Sequence, residues 1–436
     1  MLTVLANRVF ARLFAAQVVA LLGTGLLTVA LGLLAWDLAG DRAGLILGGV
    51  FTVKMVAYVM LSPVLAALTV RLPRRAVLVT ADVIRAGVAL CLPFVEDVWQ
   101  VFALVFVLQS ASATFTPAFQ ALIPDVLTKE ADYTRGLSLS RLAYDLESLL
   151  SPALAGALLL VIGYSDLFLG TVAGFAVSAA LIVMARPPPR AGTKDRPFGE
   201  RLTRGIRIYL ATPRLRGLWA LNFAAASVGA FVLVNTVVLV RHVYGGGEAE
   251  VALALAAFGG GSMAAALILP SVLDRIADRR VMRISAAALA TTAGAAAVLQ
   301  PGWPGLLMLW AVLGAGYSGV LTPSGRLLRR SAHAEDRPAV FTAQFALSHL
   351  GWLVTYPLMG WAGAALGLWP TLGTAAALAI CATIVAGVVW PRDTAVLAHA
   401  HPDLPPDHPH LRGAHGGMHT HRFVIDDEHR VWPGNG

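Results

Sequence analysis

Three ionisable residues stand close together in a largely apolar stretch of the sequence, RLAYDLESLL at residues 141–150. Arg141 and Asp145 are four residues apart, so a helix would place them one turn apart, where they can form an ion pair. Glu147 lies about ten residues into the apolar run, which is roughly 15 Å along a helix. Because burying a charge is costly, an ionisable group at that depth in a membrane is a functional candidate. We expect Glu147 or Asp145 to carry protons; a structural network of the three charges is the alternative.

Three further ionisable residues lie within or beside apolar runs. His349 occurs in FALSHLGWLV, where its imidazole could bind a transition metal or relay a proton, or serve as a hydrogen-bonded packing residue. Lys54 could face the protein interior or extend its ammonium group to the membrane surface. Asp37 ends the first apolar run and is expected to be solvated, with a role in an exit vestibule as the alternative.

Histidines are concentrated at the end of the chain. From residue 391 onward the sequence has eight of its eleven histidines: His399, His401, His408, His410, His415, His419, His421 and His429. Three pairs have the spacing H-x-H in a segment rich in Pro and Gly. Such tracts are typical of metal binding, and imidazole suits Ni²⁺, Co²⁺, Zn²⁺ or Cu²⁺. A solvated tail that binds no metal is the alternative.

The composition places these residues in a membrane protein. Hydrophobic residues make up 57% of the sequence and charged residues 13%, whereas soluble domains carry roughly 25% charged residues. A membrane-spanning helix needs about 20 apolar residues. Twelve runs approach or exceed that length: residues 12–36, 44–68, 77–95, 98–121, 138–162, 166–185, 216–240, 250–273, 282–300, 303–325, 339–365 and 369–390. The sequence therefore predicts an all-α membrane protein with twelve transmembrane helices.

The basic residues lie almost entirely on one side of these runs. Of the 33 Lys and Arg residues, 28 fall on the side of the chain ends, and only Arg42 and Arg241 fall on the other. Positively charged loops mark the cytoplasmic side, so both termini and the histidine tail are predicted to be cytoplasmic. We expect a monomer in a bacterial inner membrane, with the lipid bilayer rather than nucleic acid as its partner.

The chain reads as two related halves. Arg74 recurs as Arg279 and Pro152 as Pro357, both 205 residues further on. The predicted units are an N-terminal six-helix bundle (1–185), a linker loop (186–215), a C-terminal six-helix bundle (216–390) and a disordered tail (391–436). Two pseudo-symmetric bundles with a substrate site between them are the architecture of alternating-access transporters. The sequence contains no P-loop, HExxH motif or nucleophile–base pair, so neither an enzyme nor a resident cofactor is expected.

The connection after the second run resembles the Gly-x-x-x-Asp-Arg-x-Gly-Arg-Arg loop of the major facilitator superfamily. This chain reads LAALTVRLPRRAVL at residues 65–78, and the matching residues are Arg71, Arg74 and Arg75. Val70 stands where the family has Asp, the residue that latches the cytoplasmic gate. The resemblance, which covers about residues 8–390, implies the major facilitator fold and a first gate loop that lacks its acidic latch.

The second copy of this loop, LDRIADRR at residues 273–280, is the expected place for the latch. It keeps an Asp-Arg pair with one extra residue of spacing before the basic pair. The residues concerned are Asp274, Arg275, Arg279 and Arg280. The resemblance therefore implies that the latch is either weak in this protein or carried by the second copy, through Asp274.

The fifth run, LLSPALAGALL, resembles the Gly-Pro-rich motif of proton-driven exporters. The matching residues are Ser151, Pro152 and Gly156, with Ser-Pro in place of Gly-Pro. A major facilitator body with a C-terminal histidine tail is similar to the nickel-resistance permeases. This resemblance implies an exporter coupled to protons that removes a divalent metal, nickel first and then cobalt or zinc. The tail would collect cytoplasmic metal, with Ni, Co or Zn bound only transiently.

Two other functions are compatible with the sequence. An exporter of small organic molecules, such as a drug or siderophore, would fit the Gly- and Ala-rich helices and their sparse charge. A membrane sensor that binds metal with its tail, without transporting it, would fit the histidines but not the repeated halves. Substrate flux driven by a proton gradient separates a transporter from a sensor.

Overall fold

The computed structural model describes residues 2–40, 43–189, 195–390, 396–400, 418–421 and 423–433. The helices in these ranges are α1 (Arg8–Ala39), α2 (Ala43–Val56), α3 (Ser62–Thr69), α4 (Arg74–Cys91), α5 (Val98–Val126), α6 (Glu130–Leu159), α7 (Tyr164–Ala185), α8 (Phe198–Ala211), α9 (Pro213–Val243), α10 (Glu248–Leu273), α11 (Asp278–Leu299), α12 (Trp303–Leu321), α13 (Ser324–Arg330), α14 (Arg337–Leu366) and α15 (Leu368–Val389). A π-helical turn, Ala57–Leu61, joins α2 to α3. Two short strands, β1 (Leu397–Ala400) and β2 (Met418–His421), pair antiparallel near the chain end.

The helices account for the twelve predicted spans. In the described chain, ten segments are long and apolar enough to cross a membrane, and α6 makes an eleventh although it bends by 41° between residues 130–148 and 153–159. The twelfth, α14, has 30 residues and is therefore long enough at about 1.5 Å per residue. Polar residues such as Gln344, His349 and Thr355 reduce its hydropathy. The prediction of an all-α membrane protein is confirmed.

Small residues allow neighbouring helices to touch backbone to backbone. A Cβ on Gly261 of α10 would fall 1.8 Å from the carbonyl oxygen of Ala311 in α12, and one on Gly314 of α12 would fall 1.8 Å from the carbonyl oxygen of Phe258. Neither position can therefore carry a side chain at this separation. Close approach through small residues is a common way to pack helices in lipid, where apolar burial between helices gives no hydrophobic advantage.

Helices α1–α7 form the N-terminal half and α9–α15 the C-terminal half. The halves meet along two lines: α14 contacts α2, α3 and α5, and α6 contacts α10. Helix α8 lies between the halves in sequence and contacts both α14 and α3. We call the side of the protein that carries α8 and the first turn of α1 the linker side, and the opposite side the distal side.

The last described segment, residues 423–433, packs against the C-terminal half. Phe423, Val424 and Ile425 are buried, and Phe423 and Ile425 belong to the hydrophobic core of that half. Arg214 donates a hydrogen bond to the carbonyl oxygen of Phe423 at 3.4 Å and lies over the ring of Trp432. These residues depart from the predicted disordered tail, because a buried apolar segment holds them on the linker side.

Candidate functional site

Arg141 and Asp145 form the ion pair that their spacing predicts. Ser262 of α10 donates a hydrogen bond to Asp145 Oδ2 at 2.7 Å and accepts one from Arg141 Nε at 3.2 Å. The Arg141 guanidinium also lies 4.9 Å from the ring centre of Tyr317 in α12. Since the ion pair is on α6 and its other contacts are on α10 and α12, it connects the two halves.

Glu147 faces a different neighbour from Asp145, although both are on α6. Its Oε1 lies 3.3 Å from the place that a Cβ on Gly25 of α1 would occupy. Lys54 of α2 is the opposite charge that acts on Glu147, and its Nζ lies 5.7 Å from the ring centre of Tyr58. The structure therefore directs Lys54 towards the protein interior, where its charge acts on the candidate proton-carrying carboxyl group.

His349 of α14 is held against the N-terminal half by aromatic contacts. Its ring centre lies 4.8 Å from that of Tyr58, edge to face, and 4.3 Å from that of Phe345. Nδ1 donates to the carbonyl oxygen of Phe345 at 2.7 Å, which leaves Nε2 with a free lone pair. Tyr58 lies in the π-helical turn Ala57–Leu61, a local irregularity that is frequent at functional sites.

We call this group the central cluster: Lys54, Tyr58, Arg141, Asp145, Glu147, Ser262 and His349. It brings together five of the six predicted transport or coupling residues. The sixth, Asp37, is exposed at the distal end of α1, where it accepts a hydrogen bond from Tyr164. The predicted roles of all six stay predictions.

Three aromatic neighbours of His349 on α14, Phe345, Trp352 and Tyr356, were missed by sequence reasoning. Phe345, His349, Trp352 and Tyr356 recur at intervals of four, three and four residues, which places them on one face of α14. Trp352 contacts Tyr356 at 4.9 Å and Tyr317 at 6.3 Å between ring centres. The spacing of this aromatic row could have revealed it, but not which half it would face.

The exporter-motif residues lie on the bent part of α6. Ser151 is buried close to Gly25 of α1, and Gly156 is exposed with open space at its Cβ position. Pro152 is part of the same helix. The exporter role of the motif stays a prediction.

The linker side is closed by ion pairs between the halves. Arg74 of α4 contacts Asp125 of α5 at 2.6 Å, and Arg337 of α14 reaches the same carboxylate at 2.7 Å. In the C-terminal half, Asp278 of α11 contacts Arg330 at 2.6 Å. Glu130 of α6 then reaches across to Arg330. Each half therefore has an internal ion pair that binds a charged residue of the other half, and in the C-terminal half Arg326 joins the group by contacting Glu130 at 2.8 Å.

Asp274, the expected carrier of the latch in the second copy, does not take part in the ion pairs described above, and its role stays a prediction. Asp274 is exposed, whereas Asp278, four residues further on, is buried and also binds Arg326 at 2.9 Å. Helix α11 begins at Asp278, so its carboxylate lies at a positive helix end beside two guanidinium groups. The sequence did not reveal this preference, because both aspartates precede basic residues.

The other gate-loop residues take different positions. Arg71 pairs with Asp195 of the linker, and Arg279 donates to the carbonyl oxygen of Trp390 at 3.0 Å. Arg75, Arg275 and Arg280 are exposed. Of the first gate loop, Arg74 alone enters the ion-pair network that closes the linker side.

The structure describes only some of the tail histidines. His401, His408, His410 and His415 lie outside the described residues, and the backbone of His399 is opposite that of His419 in the β1–β2 pair. His429 lies in residues 423–433, which we call the docked segment. Its ring centre is 5.0 Å from that of His421, and its Nδ1 is 2.9 Å from Asp426 Oδ1. Among the residues that the structure describes, no group of three or more His, Cys, Asp or Glu is arranged to hold a metal ion.

The fold and the central cluster together define a helical membrane protein of two six-helix halves with ionisable groups between them. A family profile described as Major Facilitator Superfamily matches residues 13–245 and 223–425. The chain therefore belongs to the Major Facilitator Superfamily and is a multi-pass secondary transporter. No catalytic family is indicated, and no curated protein sequence matches the chain.

Solved structures with the same fold are distant in sequence. The human organic anion transporter MFSD10 (TETRAN) has a TM-score of 0.68 and 14% identity over 87% of this chain and 99% of its own. The fucose:proton symporter FucP of E. coli has a TM-score of 0.67 and 17% identity over 87% of this chain and 98% of its own. FucP in an outward conformation has a TM-score of 0.65 at 14% identity, over 87% of this chain and 98% of its own. At such low identity the similarity establishes the fold alone.

Proposed function

We propose that this protein is a proton-coupled transporter that exports a small organic molecule from the bacterial cytoplasm by alternating access. The observation that carries the proposal is the central cluster, where an ion pair on α6 is bound to Ser262 on α10. A substrate that binds there contacts both halves at once. Binding energy can then favour one arrangement of the halves over the other, as alternating access requires.

The surroundings of the cluster favour an organic substrate over a bare metal ion. Asp145 is paired with Arg141, and the charge of Lys54 acts on Glu147, so each carboxylate has a cationic neighbour in the described structure. His349 offers one free ring nitrogen, whereas transition-metal sites combine several ligands. The aromatic row and Tyr317 instead present flat apolar surfaces of the kind that bind organic molecules.

The proposed orientation follows from the distribution of basic residues, which assigns the linker side to the cytoplasm. The closed linker side would then correspond to an outward-facing state. The proposed direction, export, rests on the resemblance of residues 149–159 to the exporter motif. The proposed coupling group is Glu147, with Asp145 holding the halves together through Ser262.

Transport by purified protein in vesicles tests the proposal. We expect an imposed pH gradient to drive the movement of fluorescent aromatic dyes across the vesicle membrane. Glu147→Gln should abolish this gradient-driven movement. The same variant should still exchange dye when no gradient is imposed. Glu96→Gln, an equivalent change in an exposed loop, serves as the control and should behave as the unmodified protein. Dye movement by the unmodified protein that does not respond to the pH gradient, or a fully coupled Glu147→Gln variant, would contradict the proposed coupling.

A divalent metal is the second candidate substrate, and the register of the tail favours it. His399 and His419 are directly opposed in the β1–β2 pair, and Cα atoms in such positions lie about 4.5–5.5 Å apart. We expect the double variant His399→Ala/His419→Ala to bind Ni²⁺ less tightly than the unmodified chain if the tail collects metal. Ni²⁺ flux in the same vesicles, without dye flux, would make metal the substrate and exclude the organic molecule.

A further inference from the structure

A cavity lies on the linker side, away from the central cluster. It has a volume of about 270 Å³ and is bounded by α3 and α5 of the N-terminal half, by the linker helix α8 and by α14 of the C-terminal half. Much of its wall is apolar, with Ala66, Ala67, Ala118 and Ala339 among the lining residues. Charged side chains complete the wall: Arg71, Arg74, Arg196, Arg201, Arg204, Asp195, Glu335 and Asp336.

One of these arginines is buried without a full set of partners. Arg74 is 5% exposed, and its carboxylate partner Asp125 is shared with Arg337. Two guanidinium groups therefore share one carboxylate, which leaves a buried surplus of positive charge. Within the described part of the chain, Nη1 of Arg74 has no hydrogen-bond partner. A buried charged donor in that condition is costly unless a ligand or solvent satisfies it.

Most of the other charges on the wall have partners, and Arg196 is paired with Glu200 at 2.6 Å and with Asp427 at 2.7 Å. Arg71 is paired with Asp195, and Arg204 holds Asp336 with bonds of 2.5 and 2.7 Å. Glu335, half-buried at one edge, is the remaining acid on the lining. Arg201 is on the same lining, and its Nε is buried and has no hydrogen-bond partner among the described residues.

The backbone adds to the positive potential at Arg74. Helix α4 begins at this residue, and its N-cap, Pro73, provides no side-chain hydrogen bond to the first turn. The free N–H groups and the positive end of an 18-residue helix favour an anion nearby. The guanidinium group and the helix end thus point to the same class of ligand.

We propose that this cavity binds a phosphate group, held by Arg74 of the N-terminal half and by Arg201 of the linker helix α8, which packs against α14 of the C-terminal half. A tetrahedral oxyanion accepts several hydrogen bonds at once, and guanidinium groups match its geometry. The phosphate can belong to inorganic phosphate or to the head group of an anionic lipid, whose glycerol and acyl portion would contact the apolar wall. Either ligand bridges the halves and stabilises the form in which the linker side is closed.

Thermal unfolding of the full chain tests both sources. In detergent, inorganic phosphate should raise the melting temperature more than chloride at equal ionic strength. In lipid nanodiscs, phosphatidylglycerol should raise it relative to phosphatidylcholine. A rise in the first experiment alone identifies the free anion, and a rise in the second alone identifies the lipid. No rise in either would overturn the proposal.

Variants assign the effect to the cavity. Arg74→Gln and Arg201→Gln should each weaken the response to the effective ligand by about tenfold in concentration, as the loss of a charge-assisted hydrogen bond implies. Arg75→Gln removes the same charge from the neighbouring, exposed residue and should leave the response unchanged. Arg201 is outside the Asp125 network, so its variant keeps the test decisive if Arg74→Gln does not fold. Equal responses in Arg201→Gln and Arg75→Gln would assign the effect to general surface charge and reject the site.

Discussion

At the scale of single residues, the central cluster depends on hydrogen bonds that cross from one half to the other. Arg141 and Asp145 belong to one helix, and their spacing made the pair predictable. Their partner Ser262 is more than a hundred residues away, on a helix whose rotation the sequence does not reveal. For the same reason the sequence identified Glu147 and Lys54 separately but not their proximity.

Removing the Ser262 hydroxyl should weaken the connection between the halves. In Ser262→Ala, Asp145 keeps Arg141 but loses a hydrogen bond of 2.7 Å from α10. The expected cost is about 1 kcal/mol, and the transport rate should change because the ion pair no longer holds the C-terminal half. The measurement is substrate flux together with the melting temperature.

The control for this prediction is on the same helix. Ser271→Ala removes an exposed hydroxyl that donates only to the carbonyl oxygen of Ile268, three residues away. It should alter neither flux nor melting temperature. If Ser262→Ala also leaves both unchanged, the bond to Asp145 has no part in linking the halves.

At the scale of elements, the long apolar runs of the sequence predicted the helices correctly, because a membrane accepts few alternatives to a long apolar helix. Two elements were not predictable in this way. The π-helical turn that contains Tyr58 has an ordinary apolar sequence, AYVML, which gives no sign of the irregularity. The docked segment 423–433 is short and polar on average, and its position depends on Phe423 and Ile425 finding a distant apolar surface.

The docked segment should respond to pH through His333 and Asp426. A hydrogen bond to Asp426 at 3.2 Å raises the pKa of His333 above its ordinary value of 6.5, and the charges of Asp336 and Glu335 act in the same direction. Burial acts to raise the pKa of Asp426, but hydrogen bonds from His333 and His429 outweigh it and hold that pKa well below its ordinary value of 3.8. The docked segment is therefore bound most strongly between pH 3.8 and pH 6.5, the ordinary pKa values of an aspartate and a histidine. Its binding weakens as pH rises through the raised pKa of His333.

Hydrogen exchange of residues 423–433 measures this dependence. Protection should fall as pH is raised from about 6 to 8, after correction for the intrinsic exchange rate. His333→Gln should remove that change, whereas His242→Gln, on the distal side of α9, should not. A pH profile that is the same in His333→Gln as in the unmodified chain would mean that this histidine does not control docking.

At the scale of the whole molecule, the two halves close the linker side with the same arrangement and opposite charges. In the N-terminal half, Arg74 begins α4 and binds Asp125; in the C-terminal half, Asp278 begins α11 and binds Arg330. The residue that reaches each pair from the other half is the first residue of its helix. Arg337 begins α14 and binds Asp125, and Glu130 begins α6 and binds Arg330. The repeat was visible in the sequence, but the exchange of signs hid the correspondence of the pairs.

This arrangement makes the closed linker side sensitive to either crossing charge. In Arg337→Gln the N-terminal pair keeps Arg74 but loses its bond to the C-terminal half, so the population should shift towards an open linker side. Loss of about 1.4 kcal/mol would change the ratio of the two states tenfold. Arg75 and Arg280 are exposed on the gate loops of the two halves, so spin labels at Arg75→Cys and Arg280→Cys report the opening.

The labelled protein needs Ser in place of its own exposed cysteines, Cys91 and Cys381. With Arg337→Gln, the distance distribution between the labels should gain a longer component. Arg241→Gln disrupts an exposed pair with Glu248 on the distal side and should leave the distribution unaltered. A distribution unchanged by Arg337→Gln would mean that the Glu130 group alone keeps the linker side closed. The double variant Glu130→Gln/Arg337→Gln would then be the next test, and any closure that persists in it would fall to Arg329, which donates to the carbonyl oxygens of Leu127 and Thr128 across the halves.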